Sequence, residues 1–203
     1  MKFVAVANNE QWDALTKGAT GIEWIKADEN FAFNQYAGAA AYFIMQPNKN
    51  LDYTATNAPV FINSVTATLK ELNTPPHVLR INGWHGFLQR PVWEIAGIMD
   101  NNIKAIIEML DKKMIVVKDE PGLVAAKIIA MIINEAYFAL GDDVSTEAAI
   151  DTAMKLGTNY PYGPFEWAKM IGVDAVYSLL QKLSFTDKRY LPAPALQSAT
   201  ENK

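Results

Sequence analysis

Residues 151–174 read DTAMKLGTNYPYGPFEWAKMIGVD, and this stretch decides the fold of the C-terminal part of the chain. Gly157 is placed to end one helix at C′, and Pro164 suits the first turn of the next. Between them Tyr160-Pro161-Tyr162-Gly163 must cross a tight corner. The aromatic rings there, with Phe165 and Trp167, would fill the gap between two helices. On composition alone this is a rigid interhelical loop.

Working outward, the neighbouring segments are helical as well. Leu123–Leu140 is a long apolar run, and Ser145–Leu156 has Ser145 as a candidate N-cap and Glu147 in its first turn. Phe165–Ile171 and Asp174–Leu183 complete a small all-α domain. The tail from Thr186, with Pro192 and Pro194, is expected to be extended, with disorder at its end.

Upstream the pattern changes to short apolar runs: Lys2–Ala7, Gly21–Ala27, Ala40–Met45, Pro59–Val65, His77–Asn82 and Pro91–Ala96. Their apolarity is continuous rather than alternating, which predicts strands buried on both faces, as in a parallel sheet. A short helix over Glu10–Lys17, a helix over Asn101–Lys112 and a last strand at Met114–Val117 finish this half. Asp119-Glu120-Pro121-Gly122 is strong punctuation. The predicted organisation is therefore a reduced α/β, Rossmann-like parallel-sheet domain over 1–118 and an all-α domain over 119–203.

Bulk composition narrows the chemistry. With 203 residues, half of them hydrophobic, the chain can bury one good-sized core or two small ones. A net charge of −4 with mixed signs argues for neither nucleic acid nor an anionic membrane as partner. Zero Cys removes disulfides and thiolate chemistry, and two His make a multi-histidine metal site improbable. Leu123–Leu140 is broken by Lys127, Asn134 and Glu135, so a buried soluble helix is expected rather than a membrane span. The N-terminus lacks the pattern of a signal peptide, and a cytoplasmic location is the expectation.

The order of residues in 151–174 resembles the C-terminal domain of the 3-hydroxyacyl-CoA dehydrogenase family, whose core D-x-A-M-x-x-G-x-x-x-P-x-G-P-F-E is matched at every lettered position. Asp119-x-Pro121-Gly122-Leu123-Val124, Asn134-Glu135-Ala136 and Arg189-Tyr190-Leu191-Pro192-Ala193-Pro194 agree with it. The resemblance runs from about Gly83 to Leu196. It implies an oxidoreductase of fatty acid metabolism that acts on a 3-hydroxyacyl-CoA with NAD, and a homodimer formed through the C-terminal helices.

That chemistry needs a base for the hydroxyl proton, and imidazole oriented by a carboxylate serves near neutral pH. In GWHGFLQRPVWEIAG, residues 83–97, Gly83, His85, Phe87 and Pro91 echo the family's G-(L/M)-H-F-F-x-P segment. The resemblance thus makes His85 the base and Glu94 the orienting carboxylate, although the interval between them is about three residues shorter than the family's. The family's substrate-contacting Ser corresponds to Ser64 or Thr66. Where the family has an Asn early in its long helix, this chain has Ala126.

The nucleotide half departs from the family. Its G-x-G-x-x-G turn lets the backbone approach a pyrophosphate at a helix N-terminus. This chain has Ala7-Asn8-Asn9-Glu10-Gln11-Trp12 there, with no glycine before Gly18. Glu10 adds a negative charge where phosphates should lie. Asp28, after the second strand, is the candidate for the adenosine ribose, or else a turn residue. The connection from Asp28 to Ala40 is too short for the helical arm that supports CoA in the family. Three readings stay open: a dehydrogenase with divergent NAD binding, a non-catalytic dimeric binding or scaffold protein, and an enzyme that moves protons without hydride.

Overall fold

The structure is a computed structural model describing residues 1–46 and 51–201. The chain forms two compact units, Met1–Leu123 and Val124–Lys203. Among the described residues of the first unit are strands β1 (Lys2–Val6), β2 (Glu23–Lys26), β3 (Ala41–Ile44), β4 (Val60–Asn63), β5 (Val78–Ile81), β6 (Val92–Ala96) and β7 (Lys113–Val116). Helices α1 (Asn9–Thr16) and α2 (Asn101–Met109) complete it.

The strands form one sheet in the order β2-β1-β3-β4-β5-β6-β7. Pairing is parallel from β2 across to β5. Continuous apolar runs produce this arrangement because both faces are covered: β1, β3, β4 and β5 are almost wholly buried. One face packs Phe3, Phe43, Phe61, Leu79, Trp93 and Ile95 against Leu15 of α1 and Ile103, Ile106 and Ile107 of α2. The other face carries Val4, Tyr42, Ile44, Val60, Ile62 and Val78, and loop aromatics such as Phe31 and Phe33 cover it. Among the described residues, loops and short 3-10 turns such as Phe33–Tyr36 replace α-helices on that side, which is the sense in which this α/β unit is reduced.

The sheet is not parallel throughout. β6 runs antiparallel to β5, and β7 is parallel to β6. Residues 82–91 join β5 to β6 without a helix, and a parallel return needs a crossover of a dozen residues or more. The short connection therefore reverses the chain. It is also the segment that carries His85.

The first unit extends to Leu123 rather than Lys118, because Arg80 holds the segment after β7. Arg80 is fully buried on β5. Its guanidinium donates to Ser64 O at 2.7 Å, Val65 O at 3.0 Å, the Asp119 carboxylate and Glu120 O. Asp119 in turn accepts from the backbone N–H groups of Leu69 and Lys70. Partial burial pushes the Asp119 carboxyl upward, but Arg80 and these N–H donors outweigh it and hold the group below its ordinary range.

The second unit is helical: α3 (Ala125–Gly141), α4 (Glu147–Thr158), α5 (Pro164–Ile171), α6 (Val173–Ser184) and α7 (Pro194–Glu201). α3 packs against α5, α6 and α7. Three local expectations need correction. Thr146, not Ser145, caps α4, with its hydroxyl accepting from Ala149 N. The helix also continues through Gly157 and closes at Asn159, which adopts the left-handed conformation at φ 56° that asparagine tolerates.

The tail is the third correction. Asn134 on α3 is 2% exposed and grips it from both sides, donating to Leu191 O at 2.8 Å and accepting from Ala193 N at 2.8 Å. Pro194 then starts α7, and Leu196 is fully buried. Two prolines in a tail suggest an extended end. One of them is a helix starter instead.

Candidate functional site

The corner in 151–174 is a staple. The Asp151 carboxylate, 8% exposed on α4, accepts from Phe165 N at 2.8 Å and Glu166 N at 3.2 Å, and so caps α5 from a distance. Glu166 accepts from Gly163 N at 3.0 Å and also pairs with Lys155. A Cβ at Gly163 would lie 2.3 Å from Asp151 Cγ, so only glycine fits. The D…G-P-F-E pattern is thus explained by helix capping, without appeal to a ligand.

Sheets of this topology put ligands outside the carboxyl ends of the strands, where the strand order reverses. Here that point is β1, flanked by β2 and β3. The β1–α1 turn at this place is filled by its own side chains. Asn8 caps α1 and accepts from Gln11 N at 2.8 Å, while Gln11 Oε1 accepts from Asn8 N at 3.2 Å. Gln11 is 6% exposed; its amide donates to Gly83 O at 3.0 Å, and its oxygen accepts from Gln46 Nε2 at 2.6 Å. The residues present therefore do not fit a dinucleotide pyrophosphate: the helix N-terminus is capped from within, and Gln11 bridges it to the loop after β5.

That loop is held from below as well. Asn63, at the end of β4, accepts from Gly83 N at 3.0 Å and donates to Met45 O at 3.1 Å. A Cβ on Gly83 would come within 2.6 Å of Asn63 Cγ. His85 follows in this clamped loop. The carboxylate of Glu10, from the first turn of α1, stands 3.0 Å from His85 Nδ1. Glu10 also accepts from Gln89 Nε2 at 2.9 Å and, at longer range, from Gly86 N. Burial pushes the Glu10 carboxyl up, but Gln89, His85 and Gly86 together outweigh that and hold it below its ordinary range.

The other expected site residues fall as follows. Glu94 lies in β6 between Trp93 and Ile95, which pack into the core against α1 and α2. By the alternation of strand side chains it faces the opposite side, with Val78 and Arg80. Ser64 and Thr66 come together in one cavity of about 540 Å³ beyond the ends of β3 and β4, lined also by Tyr53, Leu72 and Trp84. The Ser64 hydroxyl donates to Ala67 O at 2.8 Å. Asp28 is exposed and accepts from Asn30 N at 2.9 Å, so it closes a turn.

Sequence reading does not single out Gln11, Asn63 or the partnership of Glu10 with His85. One local signal is present: Asn8-x-x-Gln11 has the spacing of a capping box. Such a box consumes the N–H groups a phosphate would use. Among the described residues no group of three or more His, Asp or Glu could hold a metal ion, and no helix is long and apolar enough to cross a membrane.

The family model for "3-hydroxyacyl-CoA dehydrogenase, C-terminal domain" matches residues 122–203. The chain is 40% identical over 93 residues to a 3-hydroxyadipyl-CoA dehydrogenase of Escherichia coli, which covers 45% of this chain and 20% of that protein. It is 31% identical over 129 residues to a probable 3-hydroxybutyryl-CoA dehydrogenase of Bacillus subtilis, covering 58% of this chain and 45% of the relative. The chain thus spans from a fifth to about half the length of these relatives. Among solved structures, the (S)-3-hydroxybutyryl-CoA dehydrogenase of Ralstonia eutropha superposes with a TM-score of 0.78 at 19% identity, covering 98% of this chain and 93% of that one. That likeness extends the family's fold, Rossmann-type sheet included, to the first unit. Residues 122–203 thus match the C-terminal domain of that family, and the sheet unit shares its fold with the Ralstonia eutropha enzyme.

Proposed function

We propose that this is a 3-hydroxyacyl-CoA dehydrogenase-like protein that binds an acyl thioester of the CoA type and uses His85 for proton transfer next to its 3-oxygen. NAD is the cofactor that the family implies. The observation that carries the departure is the self-capped β1–α1 turn, with Gln11 and Glu10 standing where the pyrophosphate would approach. The proposed chemistry is accordingly proton transfer alone.

A histidine that donates from Nδ1 to a carboxylate presents Nε2 as the basic nitrogen, and the imidazolium formed after proton uptake is stabilised by the same carboxylate. With a 3-oxoacyl thioester, Nε2 would take a proton from C2; the electron pair of that C–H bond moves into the enolate, and the proton can return. By resemblance Ser64 and Thr66 contact the acyl part and Asp28 is the residual ribose position, whereas Glu94, on the sheet face with Val78 and Arg80, is not assigned to this centre. The protein would work as a homodimer joined through its C-terminal helices.

The test is hydrogen–deuterium exchange at C2 of acetoacetyl-CoA in heavy water, followed by NMR, with the wild type and His85→Asn. Catalysed exchange that the variant loses supports the proposal. A wild type that neither exchanges nor binds acetoacetyl-CoA overturns it, and favours a non-catalytic dimeric scaffold. That second reading draws on the motif in 151–174, whose Asp151 serves to cap a helix. Oxidation of NADH with acetoacetyl-CoA would instead restore the dehydrogenase.

A further inference from the structure

In the family pattern the carboxylate that orients the base comes from the strand after it, which here is Glu94. The geometry points to a different residue: we infer that Glu10 is the positioning carboxylate of His85. This rests on His85 being the acid–base residue of the proposed function.

Three observations carry it. Glu10 Oε2 is 3.0 Å from His85 Nδ1, within hydrogen-bonding distance, and the pair is only about one-third exposed. Its other oxygen is fixed by Gln89 Nε2 at 2.9 Å and faces Gly86 N, so the carboxylate is tied to the part of the loop that follows the histidine. The helix that presents it is itself anchored to that loop, through Gln11 and Gly83 O. A carboxylate held at two points on one loop sets the direction of the ring that it meets there. It also uses the favourable electrostatics of a helix first turn, which suit a negative group. Glu10 thereby places a negative charge at the turn where a ligand's anion would approach. Seating a pyrophosphate there would require displacing the partner of His85, so base positioning and dinucleotide binding exclude one another.

The experiment reads the ring rather than turnover. Donation from Nδ1 to Glu10 fixes neutral His85 as the Nδ1–H tautomer, which ¹⁵N NMR of the two ring nitrogens distinguishes from the Nε2–H form. Spectra of wild type, Glu10→Ala and Glu94→Ala are taken at about pH 8.5, above the ordinary histidine range near 6.5. The expected result is a predominantly Nδ1–H ring in the wild type and a fall of about threefold or more in the Nδ1–H to Nε2–H ratio for Glu10→Ala, the scale of a half-exposed charged hydrogen bond. Glu94→Ala should leave the ratio within about a third of the wild-type value, well inside that threefold scale. A ratio unmoved in Glu10→Ala, or moved further by Glu94→Ala, overturns the inference. Should Glu10→Ala fold poorly, Glu10→Ser carries the same test, since its hydroxyl is too short to reach the ring. Loss of C2 exchange activity with the tautomer shift intact would retire the reaction and keep Glu10 in place; the reverse would retire Glu10 alone.

Discussion

Two helix N-termini in this chain solve one problem in opposite ways. At α5 the free N–H groups of Phe165 and Glu166 are taken by Asp151, a carboxylate from another helix. At α1 the cap is local, Asn8 to Gln11, and the acid of the first turn, Glu10, is turned outward to the histidine loop. The α5 corner keeps the family's residues letter for letter; the α1 turn keeps none of the family's glycines. The difference teaches where a family likeness resides. A cap with no room for another atom constrains the sequence tightly, whereas a ligand-binding turn can be refilled by side chains and still fold.

The sharpest way to break the comparison is at Gly163. Gly163→Ala puts a methyl group into the space of the Asp151 carboxylate, and the loss is expected to be about 3 kcal/mol, read from the urea midpoint. A loss under about 0.5 kcal/mol would mean that the corner yields, and that its sequence is held by something other than packing.

Next in size is Asp151→Ala, which uncaps α5 from inside the unit. Loss of two N–H contacts to a buried carboxylate should cost about 2 kcal/mol. The corresponding change at the other terminus, Asn8→Ala, removes a single cap hydrogen bond and should cost about 1 kcal/mol. Equal losses at the two sites would erase the contrast.

Ligand response gives a smaller and more specific contrast. If the α1 turn is closed, millimolar NADH leaves the melting temperature of the wild type unchanged. A ligand at a hundred times its dissociation constant would stabilise by about 2.7 kcal/mol, an easily seen shift. Such a shift would show that the turn opens.

The smallest effect lies in pH. The carboxyls of Glu10 and Asp119 are both held below their ordinary ranges. A depressed carboxyl adds stability that is complete above its unfolded value, near 4.3 for Glu and 3.9 for Asp, and is lost as pH falls through the folded value. Acid titration of stability should therefore fall off below about pH 4. Glu10→Ala is expected to lie within about 0.5 kcal/mol of wild type at pH 7, as suits a partly exposed pair, and to converge with it at about pH 2. A gap that widens on acidification would reverse the assigned direction.

Much of this fold is legible in the chain because it is written in short-range patterns. Lys2–Ala7, Ala40–Met45 and His77–Asn82 are continuously apolar, and burial of both faces leaves just that mark. The reversal at β6 is not, since the antiparallel run follows from the length of residues 82–91 and not from the composition of Val92–Ala96. The site is harder to read. Glu10 and His85 are seventy-five positions apart, and Gln11 meets Gly83 across seventy-two, so no periodicity joins them. Residue types at 85 and 94 match a family pattern. The partner actually standing at Nδ1 comes from a turn that the same pattern marks only as broken.

Asn134 has a consequence for how the molecule is made. Its amide is buried in α3, and its partners, Leu191 and Ala193, lie fifty-seven and fifty-nine residues further along. During synthesis α3 therefore emerges with a polar group that its own helix cannot satisfy. The core of the helical unit cannot close until the chain through Ala193 has been released. The sheet unit, whose strands all precede Leu123, can fold while the ribosome is still at work; the helical unit must wait, and a nascent chain stalled before Leu191 would present an apolar, half-finished bundle to chaperones.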